Sequence, residues 1–185
     1  MNKIEEAIQI LKDGKTLLYP TDTIWGVGCD ATDEEAVKKI VKLKNRSDSK
    51  SFIILVNNVA MLERYIPKFP EVCYDLIDLS ESPLTIIFEN PVGIAKNALA
   101  KDGSIGVRVT NDSICQKLIQ GLRKPIISTS ANLSGEPNPS CFSDISDELK
   151  KKVDFVLEER IDEKMIKPSK IIKIGNDSSV QLIRK

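Results

Sequence analysis

The sequence predicts an α/β protein: one twisted, mixed, open sheet covered by helices. Two patterns predict it. Short apolar runs of strand length alternate with segments of helical periodicity through the first two thirds of the chain. Strand-like runs then gather towards the C-terminus, so the sheet mixes directions instead of repeating a single crossover unit. At 185 residues the chain fits one domain, residues 1–185, long enough to bury a real core.

The elements follow in order. Ile4, Ile8 and Leu11 fall at helical spacing, and Gly14 is placed as a helix stop. Thr16 to Tyr19 reads as a short buried strand ended by Pro20. Thr32 and Glu35 form a capping box that opens a helix with Val37, Ile40, Val41 and Leu43 on its buried side, ending near Lys44. Phe52 to Val56 is an apolar run of strand length. Residues 58–66 and 70–80 read as helices separated by Pro67 and Pro70, with strands at Leu84 to Phe88 and Ile105 to Val109. Thr110 or Asn111 caps a helix through Ile119, closed by Gly121. A strand begins at Pro125, and Gly135, Pro137 and Pro139 make the stretch after Asn132 a loop. A polar helix near Asp144 to Lys151 precedes strands at Val153 to Leu157, Lys170 to Ile174 and Val180 to Ile183.

Composition excludes several functions. Hydrophobic residues are 41% and charged residues 29%, as in soluble globular proteins. The 27 basic and 27 acidic residues balance, which argues for weak or no direct nucleic-acid binding. No apolar run approaches the roughly 18 to 20 residues of a membrane span, so no membrane partner is expected. There is no histidine, which removes the commonest general base and every Ser-His or Cys-His nucleophile. Cys29, Cys73, Cys115 and Cys141 form no CxxC pair and read as buried free thiols of a cytoplasmic protein.

Some motifs are expected to carry no chemistry. Gly26-Val27-Gly28-Cys29-Asp30-Ala31 matches a relaxed dinucleotide fingerprint, but the strand stops at Pro20 and the tight strand-turn-helix is missing. Its glycines read as a turn with close backbone approach. Ser47-Asp48-Ser49-Lys50 matches the S-x-x-K of serine acyl enzymes without the companion motifs. Asp75, Asp78 and Glu81 read as a solvated helix face.

Three other segments carry the functional signal. Tyr19-Pro20-Thr21-Asp22-Thr23-Ile24-Trp25-Gly26 and Ser128-Thr129-Ser130-Ala131-Asn132 each follow an apolar run and are rich in hydroxyls. Between them, Lys44, Arg46 and Lys50 concentrate positive charge just before Phe52. Cations facing short hydroxyl and amide donors suit a phosphate-bearing ligand. All three segments abut strands, so the ligand is expected in a crevice beyond strand ends.

Pro20-Thr21-Asp22-Thr23-Ile24-Trp25-Gly26-Val27-Gly28, Lys44-x-Arg46-x-x-x-Lys50 and Ser128-x-Ser130-Ala131-Asn132-x-Ser134-Gly135 together resemble the YrdC/Sua5 family of L-threonylcarbamoyladenylate synthases. The resemblance runs over essentially the whole chain, without the extra C-terminal domain of the longer Sua5 type. It implies a YrdC-like fold with a concave ligand cavity. It also implies a nucleotidyltransferase that joins ATP, L-threonine and bicarbonate into threonylcarbamoyl-AMP and pyrophosphate. The product would serve modification of adenosine 37 in tRNA, through a functional link to a threonylcarbamoyl transferase complex.

By the same resemblance, Lys44, Arg46 and Lys50 would act on the phosphates. Arg46, Lys50, Ser104, Ser130, Asn132, Asn138 and Arg184 would bind ATP. Thr23, Arg108, Ser128 and Ser169 would bind threonine. Mg²⁺ is expected with ATP and no protein metal site is implied. Leu55 stands where many members place a histidine near threonine, and Lys170 replaces a usual threonine. The alternatives are a non-catalytic RNA-binding module of the same fold in tRNA or ribosome maturation, a carbamoyl-adenylate enzyme of the hydrogenase-maturation kind, and a paralogue using another amino acid. A segment from Asn45 to Ser51 is expected to close over bound nucleotide.

Overall fold

The computed structural model describes residues 2–44, 52–175 and 179–185. The expected closing segment, with Arg46 and Lys50, lies outside the described residues. Helix α1 (Lys3–Lys12) starts with a capping box: the Asn2 side chain accepts from the Glu5 N–H, and the Glu5 carboxylate accepts from the Asn2 N–H. Strand β1 (Leu17–Tyr19) turns into β2 (Gly26–Gly28), and helix α2 (Glu34–Leu43) follows. Then come β3 (Ile53–Val56), α3 (Val59–Tyr65), α4 (Val72–Asp78), β4 (Leu84–Phe88) and β5 (Ile105–Val109). The chain continues through α5 (Ser113–Leu122), β6 (Ile126–Ser130), α6 (Asp147–Lys152) and β7 (Phe155–Val156). It ends with β8 (Lys170–Ile174) and β9 (Val180–Arg184). The described strands form one mixed sheet in the order β7-β1-β2-β6-β3-β5-β4-β8-β9.

Three expectations are corrected. The cap of α2 is Asp33, which accepts from the Glu35 and Ala36 N–H groups. Thr32 instead precedes the cap, with its hydroxyl and its N–H both donating to Asp30, at 2.7 and 2.8 Å. The cap of α5 is Asp112, and the helix runs on through Gly121 to Leu122. Gly121 is a contact point and not a stop: a Cβ there would lie 2.4 Å from Ile8 Cδ1, so it lets α5 press against α1.

Gly26–Gly28 is the third correction, and only in part: the expected close backbone approach is present, but in a strand between β1 and β6 instead of a turn. A Cβ on Gly28 would lie 2.0 Å from the Ile127 carbonyl oxygen. The glycine signal there came from close strand approach, which the same residue type serves equally well.

Directly paired residues share a sheet face. Leu55, Arg108 and Ile126 therefore share one face, with Ile53, Gly106 and Ser128 in the next row. Ile54, Val107 and Ile127 share the other and are buried in the core. Each such aliphatic side chain contributes about 1.5–3 kcal/mol by burial.

Cys29, Cys73 and Cys115 are buried free thiols, while Cys141 is partly exposed, against expectation, because it precedes a surface 3-10 turn (Phe142–Asp144). Burial raises the Cys29 and Cys115 thiols well above their usual range and pushes Cys73 up to about 11. A thiol-reactive dye at pH 8 should titrate one thiol rapidly in the native protein and all four after unfolding. Gly28→Ala should lower stability by about 2 kcal/mol or more in urea unfolding, because backbone must move to admit the methyl.

Candidate active site

The alternation of β6 places Ser128 and Ser130 on one face, Ser128 opposite Ile53 and Ser130 opposite Gly26. An open cavity of about 510 Å³ lies against this face, with Gly26, Ile53 and Arg108 also in its lining. The cavity lies over this face at the end of the sheet where β2 and β3 begin and β6 ends, and residues beyond those ends, Lys44, Asn132, Asn138 and Ser169 among them, complete its lining. Because β6 runs antiparallel to β2 and β3, its C-terminal end and their N-terminal ends meet there.

One end of the cavity is built around Lys44, the last residue of the α2 turn, only 3% exposed. Its ammonium donates to the Ser130 carbonyl at 2.5 Å and to Asn132 Oδ1 at 2.9 Å. Ser130 Oγ donates to the same Asn132 oxygen at 2.5 Å, and the Ser134 N–H donates to the Lys44 carbonyl. Helix α2 and the loop after β6 are thereby tied together.

The other end is built around Arg108 on β5, also 3% exposed. Its Nη1 donates to Thr23 Oγ1 at 3.1 Å, and Nη2 pairs with Asp22 Oδ1 at 3.1 Å. The Arg108 Nε–H has no acceptor among the described residues. Arg184, on the edge strand β9, donates from Nε and Nη2 to the Ser169 carbonyl at 3.0 and 2.7 Å. Ser169 Oγ in turn bonds Thr85 Oγ1 at 2.8 Å. Burial, and then repulsion from Arg108, lower the Arg184 guanidinium from its ordinary value. Two guanidiniums that repel each other and face one cavity are a receptor for an anion.

The cavity brings together most of the residues expected from the sequence. Lys44, Ser130, Asn132 and Asn138 line it, and so do Thr23, Arg108, Ser128, Ser169 and Arg184. Arg184, expected with the nucleotide, hydrogen-bonds Ser169, expected with threonine, so the two groups meet at this end. Ser104 is not brought in: it is buried, its hydroxyl donates to Asp102 at 2.6 Å, and it does not line the cavity. Arg46 and Lys50 lie outside the described residues.

Leu55 is fully buried and does not line the cavity, and Lys170 is exposed at the start of β8. Asp22, which holds Arg108, was missed as a site residue, as were the apolar liners Ile24 and Phe52. An acid inside a hydroxyl-rich segment was the signal for Asp22. Nothing in the sequence marks the other two.

The Sua5/YciO/YrdC family model, described as "Telomere recombination", matches residues 9–185. The chain belongs to this family. A threonylcarbamoyl-AMP synthase of Photobacterium profundum is 31% identical over 166 residues, covering 85% of this chain and 87% of its own. Sua5 of P. abyssi, solved in complex with L-threonine, superposes with a TM-score of 0.82 at 26% identity over 94% of this chain. This chain spans only 52% of that structure, about half its length. YciO of E. coli superposes with a TM-score of 0.83 at 26% identity, covering 98% of this chain and 88% of its own. The mixed sheet with its covering helices is thus the Sua5/YciO/YrdC fold. Among the described residues no helix is long and apolar enough to cross a membrane.

As in any anion receptor, inorganic pyrophosphate should raise the melting temperature of the protein. About 2.7 kcal/mol of added stability is expected at one hundred times the dissociation constant. Arg184→Ala should shrink the rise, and molar salt should abolish it. No thermal shift in low salt would deny the cavity its anion.

Proposed function

We propose that this protein is an L-threonylcarbamoyladenylate synthase, forming threonylcarbamoyl-AMP and pyrophosphate from ATP, L-threonine and bicarbonate. The observation that carries the proposal is the single cavity in which Lys44, Arg108 and Arg184 face hydroxyls and amides with no carboxylate in the described lining. Membership of the family and likeness to a Sua5 solved with L-threonine support it. The product would feed threonylcarbamoyl modification of adenosine 37 in tRNA, handed to a transferase complex in the cytoplasm.

The chemistry suits a chain without histidine. The threonine amine and bicarbonate give a carbamate, whose oxygen is already anionic. That oxygen attacks the α-phosphorus of ATP and pyrophosphate leaves, so no strong protein base is required. The obstacle is repulsion between an anion and a polyanion. Cations on the triphosphate lower it: at an effective dielectric near 20, one charge pair at about 4 Å is worth roughly 4 kcal/mol before desolvation. Lys44 serves the phosphate end beside Ser130 and Asn132, with Arg46 and Lys50 as further phosphate ligands. Arg108 suits the amino acid carboxylate because its two Nη groups each keep a second N–H for a bidentate contact. Alignment of carbamate and α-phosphorus supplies much of the rest.

Mg²⁺ enters as part of the nucleotide substrate. The described lining offers neutral oxygens but no carboxylate, and no cluster of three acidic, cysteine or histidine ligands occurs among the described residues. Phosphates and water would therefore be its main ligands.

Pyrophosphate release should require ATP and bicarbonate and, across the twenty amino acids, threonine alone. Arg46→Ala and Lys50→Ala should each lower it at least about tenfold, or 1.4 kcal/mol. Arg108→Lys should raise the threonine KM by about tenfold with the ATP KM unchanged, and Ser104→Ala should change neither. Equal release with every amino acid, or none with threonine, would overturn the assignment.

A further inference from the structure

Thr21 does not line the cavity, yet its hydrogen bonds decide what its neighbour can do there. Thr21 is 2% exposed and Thr23 5% exposed. The Thr21 hydroxyl donates to the Ile24 carbonyl at 2.7 Å, and a carbonyl can only accept. A hydroxyl has one proton. In the 2.9 Å contact between the two threonine hydroxyls, the proton must therefore come from Thr23. Thr21 Oγ1 also accepts from the Thr23 N–H at 3.0 Å, which uses its second lone pair. Every hydrogen-bonding capacity of the Thr21 hydroxyl is then filled within one turn of chain.

Thr23 is left with one direction. Its proton is spent on Thr21. One lone pair accepts from Arg108 Nη1 at 3.1 Å, and a guanidinium can only donate. One lone pair remains, on a residue that lines the cavity. A carboxylate or phosphate oxygen finds no proton at Thr23. A ligand N–H or O–H finds an acceptor whose orientation is locked at both ends.

We infer that Thr21 is a positioning residue that fixes Thr23 as an obligate acceptor for a donor group of the amino acid substrate, its N–H or its side-chain O–H. This rests on the cavity being a threonine site. The division of labour follows: Arg108 takes the carboxylate, and Thr23 takes the donor beside it. A site built to satisfy a substrate donor rejects analogues lacking it, because its own buried acceptor is then left unpaired.

Thr21→Val keeps the shape and removes the hydroxyl, freeing the Thr23 proton to rotate. Threonine binding by calorimetry should weaken about tenfold while ATP binding changes less than twofold, and Thr21→Ser should restore the wild-type value. Equal losses for both ligands would mean a merely structural role and would overturn the inference, as would unchanged threonine binding in a folded Thr21→Val protein.

Thr23→Val separates the two donors. If the side-chain O–H is read, the preference for threonine over 2-aminobutyrate collapses. If the N–H is read, both amino acids weaken in parallel. No loss for either overturns the inference. The ligand-free protein gives an independent readout by NMR, since buried hydroxyl protons exchange slowly. The Thr21 proton should show cross-peaks to Ile24, and the Thr23 proton to Thr21. The reverse pattern overturns the inference whatever the wild type does with threonine. A wild type that binds no threonine but shows the expected pattern faults the functional reading instead.

Discussion

A guanidinium held almost out of water is the constraint on which the rest of this structure depends. Arg108 is 3% exposed in the middle of the sheet. Taking such a charge out of water costs several kcal/mol unless partners replace the lost hydration. Asp22 and Thr23 supply that replacement from the segment between β1 and β2, and Thr110 steadies Asp22 with a bond of 3.3 Å. The β1–β2 connection therefore cannot be an ordinary turn. It must bring an acid and two threonines to one strand face. Arg184 on the last strand adds a second positive charge near Arg108, held by the Ser169 carbonyl. The residual repulsion is what an anionic ligand would relieve.

The two ends of the cavity are built by different means. At the Arg108 end, strands do the positioning, and rigid pairing sets the spacing of β3, β5 and β6. At the Lys44 end, a helix terminus and a loop meet through a cation. The Lys44 ammonium crosses to Ser130 and Asn132, and the Ser134 N–H returns to the Lys44 carbonyl. Positions held by a sheet move little. A loop held by side chains can adjust. Under the proposed function, the rigid Arg108 end would select the small amino acid and the more adjustable Lys44 end would admit the larger nucleotide.

Much of this was legible along the chain. The strands at 84–88, 105–109 and 170–174 have the bounds their apolar runs indicated. Most of the described candidate residues do meet in one cavity. Glycine was the recurrent source of error. Gly121 reads as a stop and is a helix contact, and Gly26 and Gly28, read as a turn with close backbone approach, make the close approach within a strand. A missing Cβ permits a positive φ and a close neighbour alike, and local sequence does not say which is used. Ser104 lies outside the cavity lining, with its hydroxyl donated to the nearby Asp102.

The sequence by itself determined the kinds of groups available: cations, hydroxyls and amides, with no histidine to act as a base. Local periodicity and capping chemistry also determined most helices and strands, because those depend on neighbours within a few residues. Only the tertiary structure decided which strand ends frame the cavity, that Asp22 holds Arg108, and which way the Thr23 hydroxyl points. Each of those depends on strand register and on contacts between residues far apart in the chain, where a shift of one position turns a side chain to the opposite face.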